Sequence, residues 1–369
     1  MQLRAVGAVF AALILAACAS SYPVSHSPAR RPPPPLLPAE PRPLQTTERR
    51  VPLVALKGWE AEDHAAALAA FRETCGAARD PAMAPVCRSA RAIGPLNREQ
   101  SRRFFEAHFR AEASTDDGVL TAYFAPEYPA RHKPDAEFSA PLRAKPADLR
   151  PVDAGDGTLA PYPDRAAIEA TPPGQALAWL RPEDLFFLQT QGSGVLTFES
   201  GKRMKALYAA NNGRAFVAVS NLMRDRGLLA GDNTSAEAIR GWLADHRGPD
   251  ADAIMRLNPR YAFFSLAPDD GRQPVGSANL PLPPGRALAV DPAYHQMGEL
   301  YWVDAGTPIL KGAFPIYRRL ALTLDTGGAI KGDVRADLYL GLGAAAGAEA
   351  GRVRHTLRMF RLVPKDPAP

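Results

Sequence analysis

The segment LDTGGAIKGDVRAD, residues 324–337, lies between two strand-like segments, RLALTL (319–324) and LYLGLG (338–343). Two aspartates, Asp325 and Asp337, stand at the ends of a turn that contains three glycines and a lysine. A phosphate-binding loop needs G-x-x-x-x-G-K-[ST] between a strand and a helix, and neither this glycine spacing nor the following strand fits. Flanking carboxylates also repel anionic ligands. The acids themselves are therefore the candidates for chemistry.

The strands beside this turn belong to a C-terminal series. Apolar or alternating runs of five to eight residues, divided by Gly and Pro turns, predict strands. They are RALAVD (286–291), ELYWVDAG (299–306), RLALTLD (319–325), ADLYLGLG (336–343) and TLRMFRLV (356–363). With LTAYFAPEY (120–128) they make about six strands, enough for a small closed barrel.

The rest of the chain mixes helices and strands. Apolar spacing predicts a helix over 59–75, and Asn97 with Gln100 forms a capping-box pattern at the start of a second helix. The pattern then predicts strands at LFFLQTQ (185–191), GVLTFES (194–200) and RMKALYAA (203–210), followed by helices within 215–227, 234–246 and 249–258. The fold class is mainly β with peripheral helices.

Composition limits the function classes. The chain has 369 residues and a formal net charge of +5, but the six arginines and two glutamates of residues 1–50 carry +4 of it. The remainder is nearly neutral and has no Lys/Arg stripe. Nucleic acid binding depends on phosphate neutralisation, so it is disfavoured.

The N-terminus predicts export. An apolar run from Ala5 to Ala17 is too short to span a bilayer but suits a signal peptide. Its ending LAAC resembles the bacterial lipoprotein box, in which the cysteine, here Cys18, becomes the lipidated first residue. An ordinary signal peptide with an incidental cysteine is the alternative. Position 19 is Ala rather than Asp, which by its resemblance to known sorting patterns favours the outer membrane. A proline-rich linker over 19–52 would extend the body away from the membrane.

Two further cysteines, Cys75 and Cys87, would lie in an oxidising compartment after export. A disulfide between them would contribute about 3 kcal/mol, and two free buried thiols are the alternative. A metal site is disfavoured, since no His forms a ligand cluster with this pair.

Besides Asp325 and Asp337, the sequence offers a third aspartate and one glycine-containing segment as candidates for the site. Asp291 also stands at a strand edge, although an aspartate there often only caps a turn. The QGSG segment could be a bare hairpin turn, or its glycines could let backbone approach a ligand; its residues are Gln191, Gly192, Ser193 and Gly194. No G-x-S-x-G nucleophile motif is present.

Several of these motifs occur together in the order LTAYFAPE, FFLQTQGSG, NPRYAFF, GRALAVDP, LDTGGAIKGDVRADLYLG and FRLVPK. With the lipoprotein signal they resemble the membrane-bound lytic murein transglycosylase A family over roughly residues 118–365, whose C-terminal domain is named for three aspartates. The resemblance implies a six-stranded double-psi β-barrel with an inserted second β-barrel-like domain and a substrate groove between them. The boundaries expected are a signal peptide at 1–18, a linker at 19–52, a barrel domain at 53–128 plus 285–369 (the three-aspartate domain at 285–365) and an inserted domain at 129–284.

The resemblance also implies the chemistry. Asp337, within RADLYLG, corresponds to the family's catalytic acid, with Asp325 and Asp291 as supporting acids. A single acid suffices if the muramyl O6 attacks its own C1 and leaves a 1,6-anhydro end, whereas a hydrolase needs two carboxylates. The expected substrate-binding residues are Thr121, Tyr123, Gln191, Gly192, Ser193, Gly194, Gly327, Gly328 and Lys331. No metal or other cofactor is required.

The expected partners are peptidoglycan glycan strands and, through the lipid anchor, the outer membrane of a Gram-negative bacterium, on its periplasmic side. Proteins of cell-wall synthesis or division are further partners that this interpretation allows. Two alternatives stay open at this point: a non-catalytic peptidoglycan-binding lipoprotein, and a hydrolytic muramidase that uses Asp325 or Asp291 as its base.

Overall fold

A computed structural model describes residues 49–114, 116–153, 159–230, 233–308, 310 and 313–365. The predicted signal peptide, Cys18 and nearly all of the predicted linker lie outside these residues. Within the described part no helix is long and apolar enough to cross a membrane.

The strands fall into two main sheets and two short antiparallel pairs. In chain order they are β1 (Arg49–Val51), β2 (Phe109–Ala113), β3 (Gly118–Ala125), β4 (Glu127–Pro129), β5 (Ala140–Leu142), β6 (Val152–Asp153), β7 (Leu159–Ala160), β8 (Ala178–Leu180), β9 (Gly194–Thr197), β10 (Arg203–Asn211), β11 (Ala262–Pro268), β12 (Ala287–Val290), β13 (Leu300–Pro308), β14 (Ile316–Thr326), β15 (Arg335–Leu342) and β16 (Arg354–Pro364).

The α-helices lie in three parts of the chain: before β2, between β7 and β11, and after β15. They are α1 (His64–Thr74), α2 (Met83–Ala92), α3 (Arg98–His108), α4 (Arg165–Ala170), α5 (Pro182–Gln191), α6 (Val219–Asp225), α7 (Ala236–Asp245), α8 (Pro249–Met255) and α9 (Gly343–Ala350). The capping box predicted at Asn97 and Gln100 is present at the start of α3.

The larger sheet closes into a barrel. Its strand order is β1-β2-β16-β13-β14-β12-β15-β3, and β3 also pairs with β16. That last pairing joins β3 and β12–β16 into a ring of six strands, which removes the exposed edges. The mainly β class and the six-stranded barrel predicted from the apolar runs are confirmed.

Alternation along the strands sorts the barrel's two faces. Leu120, Leu288 and Leu338 belong to one buried cluster, while Trp302 and Leu322 belong to another that includes the N-terminal helices. Successive side chains of a strand point to opposite faces. A residue beside Leu120 or Leu338 is therefore turned toward the other face of its strand.

The N-terminal helices cover part of the barrel. Phe71 of α1 and Phe105 of α3 are buried in the cluster that contains Trp302. Cys75 and Cys87 form a disulfide, with their Cα atoms 5.6 Å apart, that joins the end of α1 to α2.

The second main sheet has the order β11-β10-β9-β4. Isolated bridges extend it: Ala144 pairs with Phe264 of β11, and Arg131 pairs with Trp179 of β8. Because β5 pairs with β8, these bridges connect the two outer strands of the sheet into a barrel-like ring. Its core is a separate buried cluster that includes α5 and α7.

One predicted strand is wrong. LFFLQTQ forms helix α5, although its first four residues are all buried as a central strand would be. The helix has Pro182 in its first turn, two acids beside it, and Gly192 in the left-handed conformation (φ 88°) at its end. These are helix start and stop signals, and they prevail over the β-like composition because a helix buried all round is also continuously apolar.

Candidate functional site

A groove of about 750 Å³ lies between the six-stranded barrel and the second sheet. Its barrel side includes Thr121, Tyr123, Asp325 and Asp337, and its opposite side includes residues of α5, β10 and the segment before β11. Strands β3, β12, β14 and β15 meet at this groove. The groove therefore gathers residues that are up to about two hundred positions apart in the chain.

Asp325 and Asp337 flank the same residue. Ala289 of β12 pairs with Asp325 of β14 on one side and with Asp337 of β15 on the other. Neighbouring strands lie about 4.8 Å apart, so the two aspartate Cα atoms are roughly 10 Å apart. The small, buried Ala289 leaves the space above the strands to the acids.

Two different features aim the aspartates at the groove. Ala336 and Leu338 face the barrel cluster, so Asp337 between them faces the other way. On β14 the pairing with β12 shifts between Thr323 and Asp325 and skips one residue. Such a bulge re-aims a side chain, and here it brings Asp325 rather than its neighbour opposite Ala289.

Asp337 has few donors and is partly buried. Its Oδ1 accepts a hydrogen bond from the Thr121 hydroxyl, and Thr121 in turn accepts one from Arg335 Nη2 at 2.8 Å. Burial raises the pKa of Asp337 above its ordinary value and the nearby Asp325 adds to that rise, while Thr121 and Arg335 oppose it. A carboxyl of this kind holds a proton at higher pH than a free aspartate, as a general acid must.

Asp325 is in contrast saturated with donors. Oδ1 accepts from the Ser277 backbone N–H (2.9 Å), the Ser277 hydroxyl (2.8 Å) and the Thr326 N–H (2.9 Å), and Oδ2 accepts from the Tyr123 hydroxyl at 2.8 Å. A carboxylate offers about four lone-pair sites. Asp325 therefore holds the groove wall together rather than offering a free acceptor.

Asp291 does not line the groove and serves a turn. Its Oδ2 accepts from the Gly332 N–H at 2.9 Å, and its Oδ1 accepts from the Ala293 N–H at 3.2 Å and lies 3.4 Å from Lys331 Nζ. Burial alone would raise its pKa, but these backbone amides and Lys331 lower it overall. Lys331 is also absent from the groove lining, because its side chain points to Asp291.

The QGSG segment ends helix α5 at the groove. Gln191, Gly192 and Ser193 line the groove, and Gln191 Oε1 accepts a hydrogen bond from the Phe124 N–H at 3.2 Å, which ties the helix end to β3. Gly194 lies beneath them and is buried. A Cβ there would come within 2.7 Å of Leu188 Cδ1, so close packing requires this glycine.

The glycine turn after Asp325 forms another part of the wall. Gly327 and Gly328 both line the groove. A Cβ at Gly327 would lie 2.7 Å from Ile330 Cγ1, and one at Gly328 would lie 3.4 Å from the guanidinium carbon of Arg260. The absence of a side chain at Gly327 lets the turn fold back on itself, while Arg260 packs beside Gly328 from the opposite wall at a distance that a Cβ would also allow.

Sequence reasoning missed several residues of this site. Arg335 is part of the RAD motif, so its position two residues before Asp337 could have identified it. Ser277 comes from a segment with no motif of its own, and Arg260 lies in the NPRYAFF motif, which did not indicate a contact with this turn. Only the tertiary fold brings the two residues to the turn. Among the described residues there is no group of three His, Cys, Asp or Glu that could hold a metal ion.

Two family models match the chain. The MltA specific insert domain matches residues 119–265, and the 3D domain matches residues 286–363. The groove's residues come from both matched segments: Thr121 and Gln191 from the first, Asp325 and Asp337 from the second.

Named relatives agree with these models. The membrane-bound lytic murein transglycosylase A of Vibrio cholerae is 31% identical over 255 residues, which is 66% of this chain and 65% of that relative. The match thus spans just under two thirds of the relative's length. A solved structure of a membrane-bound lytic murein transglycosylase from Agrobacterium tumefaciens is 32% identical, has a TM-score of 0.74, and covers 86% of this chain and 97% of that chain. The structure of E. coli MltA with bound chitohexaose is 26% identical, with a TM-score of 0.64 and coverage of 81% and 90%.

Proposed function

We propose that this chain, which belongs to the membrane-bound lytic murein transglycosylase A family, is a lytic transglycosylase that cleaves the β-1,4 bond between N-acetylmuramic acid and N-acetylglucosamine in peptidoglycan. The observation that carries the proposal is the partly buried carboxyl of Asp337 in a groove of about 750 Å³, with its pKa raised by burial and by Asp325. The named relatives support the reaction class.

In the proposed reaction, Asp337 acts first as the acid and then as the base. Its carboxyl proton goes to the glycosidic oxygen as the bond from that oxygen to muramyl C1 breaks. The muramyl O6 attacks C1 and forms the 1,6-anhydro ring, and the O6 proton goes to the Asp337 carboxylate. No water enters, and the acid is regenerated for the next cycle.

Thr121 and Arg335 are positioning residues in this mechanism. Thr121 donates to the Oδ1 atom of Asp337 and is itself held by Arg335 Nη2, so one carboxyl oxygen is fixed. Oδ1 is thereby occupied as an acceptor, which leaves Oδ2 to carry the reactive proton toward the groove. Fixing a reacting group in this way lowers the entropy lost in reaching the transition state.

The hydrolytic alternative is disfavoured by Asp325. A muramidase needs a second carboxylate that can either attack the sugar or activate a water. Asp325 accepts four hydrogen bonds, and Asp291 lies outside the groove, so neither has a free oxygen directed at a substrate. A non-catalytic binding protein would keep the groove, but it would not need an aspartate with a raised pKa, because it transfers no proton.

The substrate is proposed to lie along the groove. Thr121, Tyr123, Gln191, Gly192 and Ser193 line it from β3 and the end of α5. Gly327 and Gly328 form its turn side. The relative from E. coli was solved with chitohexaose, a linear β-1,4 sugar chain, which supports a groove that binds an extended glycan.

The domain division and the anchor also belong to this proposal. A barrel domain built from 53–128 and 285–369, with an insertion at 129–284, agrees with a groove whose walls come from both parts. We propose that acylated Cys18 and the proline-rich linker, which was predicted over 19–52 but gives way to β1 at Arg49, hold the protein at the periplasmic face of the outer membrane. The relatives are named as membrane-bound.

Analysis of the reaction products tests the proposed function. The purified chain from residue 19 onward is incubated with murein sacculi, and the released muropeptides are analysed by mass spectrometry. Muropeptides with 1,6-anhydro ends are expected. Products with reducing ends, heavier by one water, would establish the muramidase, and bound but uncleaved sacculi would establish the non-catalytic protein.

The anchor is tested separately in a Gram-negative host. Cys18→Ala removes the thiol that receives the lipid, so the variant is expected in the soluble periplasmic fraction or as an unprocessed precursor. Metabolic labelling with a fatty acid should mark the parent and not the variant. A Cys18→Ala protein that is processed and fractionates with the outer membrane as the parent does would disprove lipid anchoring at this position.

A further inference from the structure

The charged side chains of the groove are unequally engaged. Among the described residues that line it, the charged ones are Arg165, Arg260, Asp325 and Asp337. Arg165 is 2% exposed and its guanidinium donates to the backbone oxygens of Asn258 (3.0 Å) and Arg260 (2.8 Å), with a further ion pair to its own helix. Arg165 is thus a structural cation, and Arg260 is the remaining positive group.

The guanidinium of Arg260 lines the groove, and only some of its N–H donors are hydrogen-bonded. Its Nη1 donates to the backbone oxygen of Arg214 at 3.1 Å, which holds the side chain in place. The guanidinium lies against Gly328, where a Cβ would come within 3.4 Å of its central carbon. Within the described part of the chain, no carboxylate lies within 4.0 Å of this guanidinium, and neither Nε nor Nη2 has a hydrogen-bond partner. The side chain is partly exposed to the groove.

A fixed guanidinium with two free N–H directions suits a carboxylate. Arginine presents a planar fork that matches carboxylate oxygens, and such charge-assisted bonds are stronger than neutral ones. The barrel wall opposite carries the carboxylate of Asp325, which would repel an anionic sugar chain. A cation on the facing wall offsets that repulsion and keeps a substrate carboxylate away from the reacting acid.

We propose that Arg260 is a specificity determinant that binds a carboxylate carried by the 3-O-substituent of muramic acid. This inference rests on the proposed function and identifies the part of the substrate that is recognised. Muramic acid differs from glucosamine by a lactyl ether at O3. Its carboxylate is free in peptide-free strands, and in peptide-bearing strands it is amide-linked to a stem peptide with carboxylates of its own. A chitooligosaccharide has neither group.

Binding measurements on an uncleaving protein test the proposal. In an Asp337→Asn background, calorimetry gives the affinity for chitohexaose, for a peptide-free murein hexasaccharide and for the same hexasaccharide with stem peptides. The Arg260→Gln change should weaken binding of a carboxylate-bearing ligand by about tenfold and leave chitohexaose unchanged. A loss for the peptide-free ligand identifies the lactyl carboxylate, and a loss for the peptide-bearing ligand alone identifies the stem.

Arg256→Gln is the matched control. It removes the same charge four residues earlier, where Arg256 pairs with Glu169 at 2.9 Å outside this groove, so all three affinities should stay unchanged. Arg260→Lys keeps the charge but not the fork, and should lie between Arg260→Gln and the parent.

Two results would overturn the proposal. An equal loss for chitohexaose would mean that Arg260 only braces the Gly328 turn, and undiminished affinity for both murein ligands would mean that it recognises nothing. These affinities do not depend on cleavage. Failure of the proposed reaction is instead detected by the absence of anhydro ends from the parent.

Discussion

The groove wall at Asp337 and the turn at Asp291, here called the corner, shift the pKa of an aspartate in opposite directions. In the groove wall Asp337 accepts from one hydroxyl, and burial raises its pKa. At the corner Asp291 accepts from two backbone amides and lies near Lys331, and its pKa is lowered. Both aspartates lie near an end of a barrel strand and close to the glycine turn that ends at Gly332. The number and kind of donors, not the position at a strand edge, therefore distinguishes an acid suited to proton transfer from one that caps a turn.

Asp325 is an intermediate case. It lines the groove as Asp337 does, but it accepts four hydrogen bonds, more than Asp291. If the comparison is right, substitutions of the three aspartates separate into a loss of rate, a mixed effect and a loss of stability.

The largest effect is expected for Asp337→Asn. Removing the proton donor should lower the rate of murein cleavage by about 10²–10⁴-fold, the usual range for general acid catalysis. Asn has nearly the same shape and still accepts from Thr121, so binding to sacculi should remain. Muropeptide release measures the rate and co-sedimentation with sacculi measures binding. A decrease of less than about tenfold would mean that the acid is misassigned.

A smaller loss of rate is expected for Asp325→Asn. The amide can keep three donors on its oxygen, and the Tyr123 hydroxyl can rotate to accept from its nitrogen. What is lost is the negative charge that helps to raise the pKa of Asp337. We expect about tenfold slower cleavage, and the alkaline limb of the pH–rate profile, where Asp337 loses its proton, should move to lower pH. A loss as large as that of Asp337→Asn would make Asp325 a direct participant.

The third substitution, Asp291→Asn, should affect stability instead. One of its two backbone N–H donors would face an amide N–H, at a residue that is 5% exposed. Loss of that bond should reduce the free energy of unfolding by about 1–3 kcal/mol. Urea denaturation measures the change, and cleavage per folded molecule should match the parent.

Lys331→Ala is the matched control for the corner. The lysine side chain is 64% exposed, so removing its pairing with Asp291 should change the free energy of unfolding by at most about 1 kcal/mol. A strong loss of activity in either corner variant would place this corner in the reaction and remove the contrast with the groove.

The sequence predicts much of this arrangement, and the failures have identifiable causes. The barrel strands are apolar runs between glycine and proline turns, so local pattern and tertiary structure agree. The sequence predicts a strand where helix α5 lies because residues 185–188 are all buried and apolar, so the helical and strand periodicities cannot be distinguished there. The flanking Pro182 and Gly192 carried the correct signal.

At the site, the motif of residues 324–337 identifies residues close in sequence to Asp337, but it does not predict which of them face the groove. Gly327, Gly328 and Lys331 all lie in one short turn, yet the glycines line the groove and Lys331 points to Asp291. Ser277 and Arg260 lie about fifty residues or more before the residues they contact, and neither the segment of Ser277 nor the NPRYAFF motif that contains Arg260 indicates those contacts. Contacts of this kind depend on strand register and on a bulge, which composition does not encode.

The smallest expected effect is on the pH dependence of stability, which should differ in sign between Asp337 and Asp291. Because the folded-state pKa of Asp337 lies above the ordinary 3.8, its contribution to stability is present at low pH and is lost as the pH rises through that folded pKa. Asn cannot ionise, so Asp337→Asn should melt slightly above the parent at pH 7, and the difference should vanish below pH 3.8.

Asp291 has a lowered pKa, so its stabilisation is present above 3.8 and is lost as the pH falls. Asp291→Asn should therefore melt below the parent at pH 7, by an amount that shrinks in acid. Calorimetric melting of both variants and the parent between pH 3 and pH 8 measures the two slopes. A lower melting temperature for Asp337→Asn at pH 7 would mean that its carboxylate stabilises the turn, as that of Asp291 does, and the contrast between wall and corner would fail.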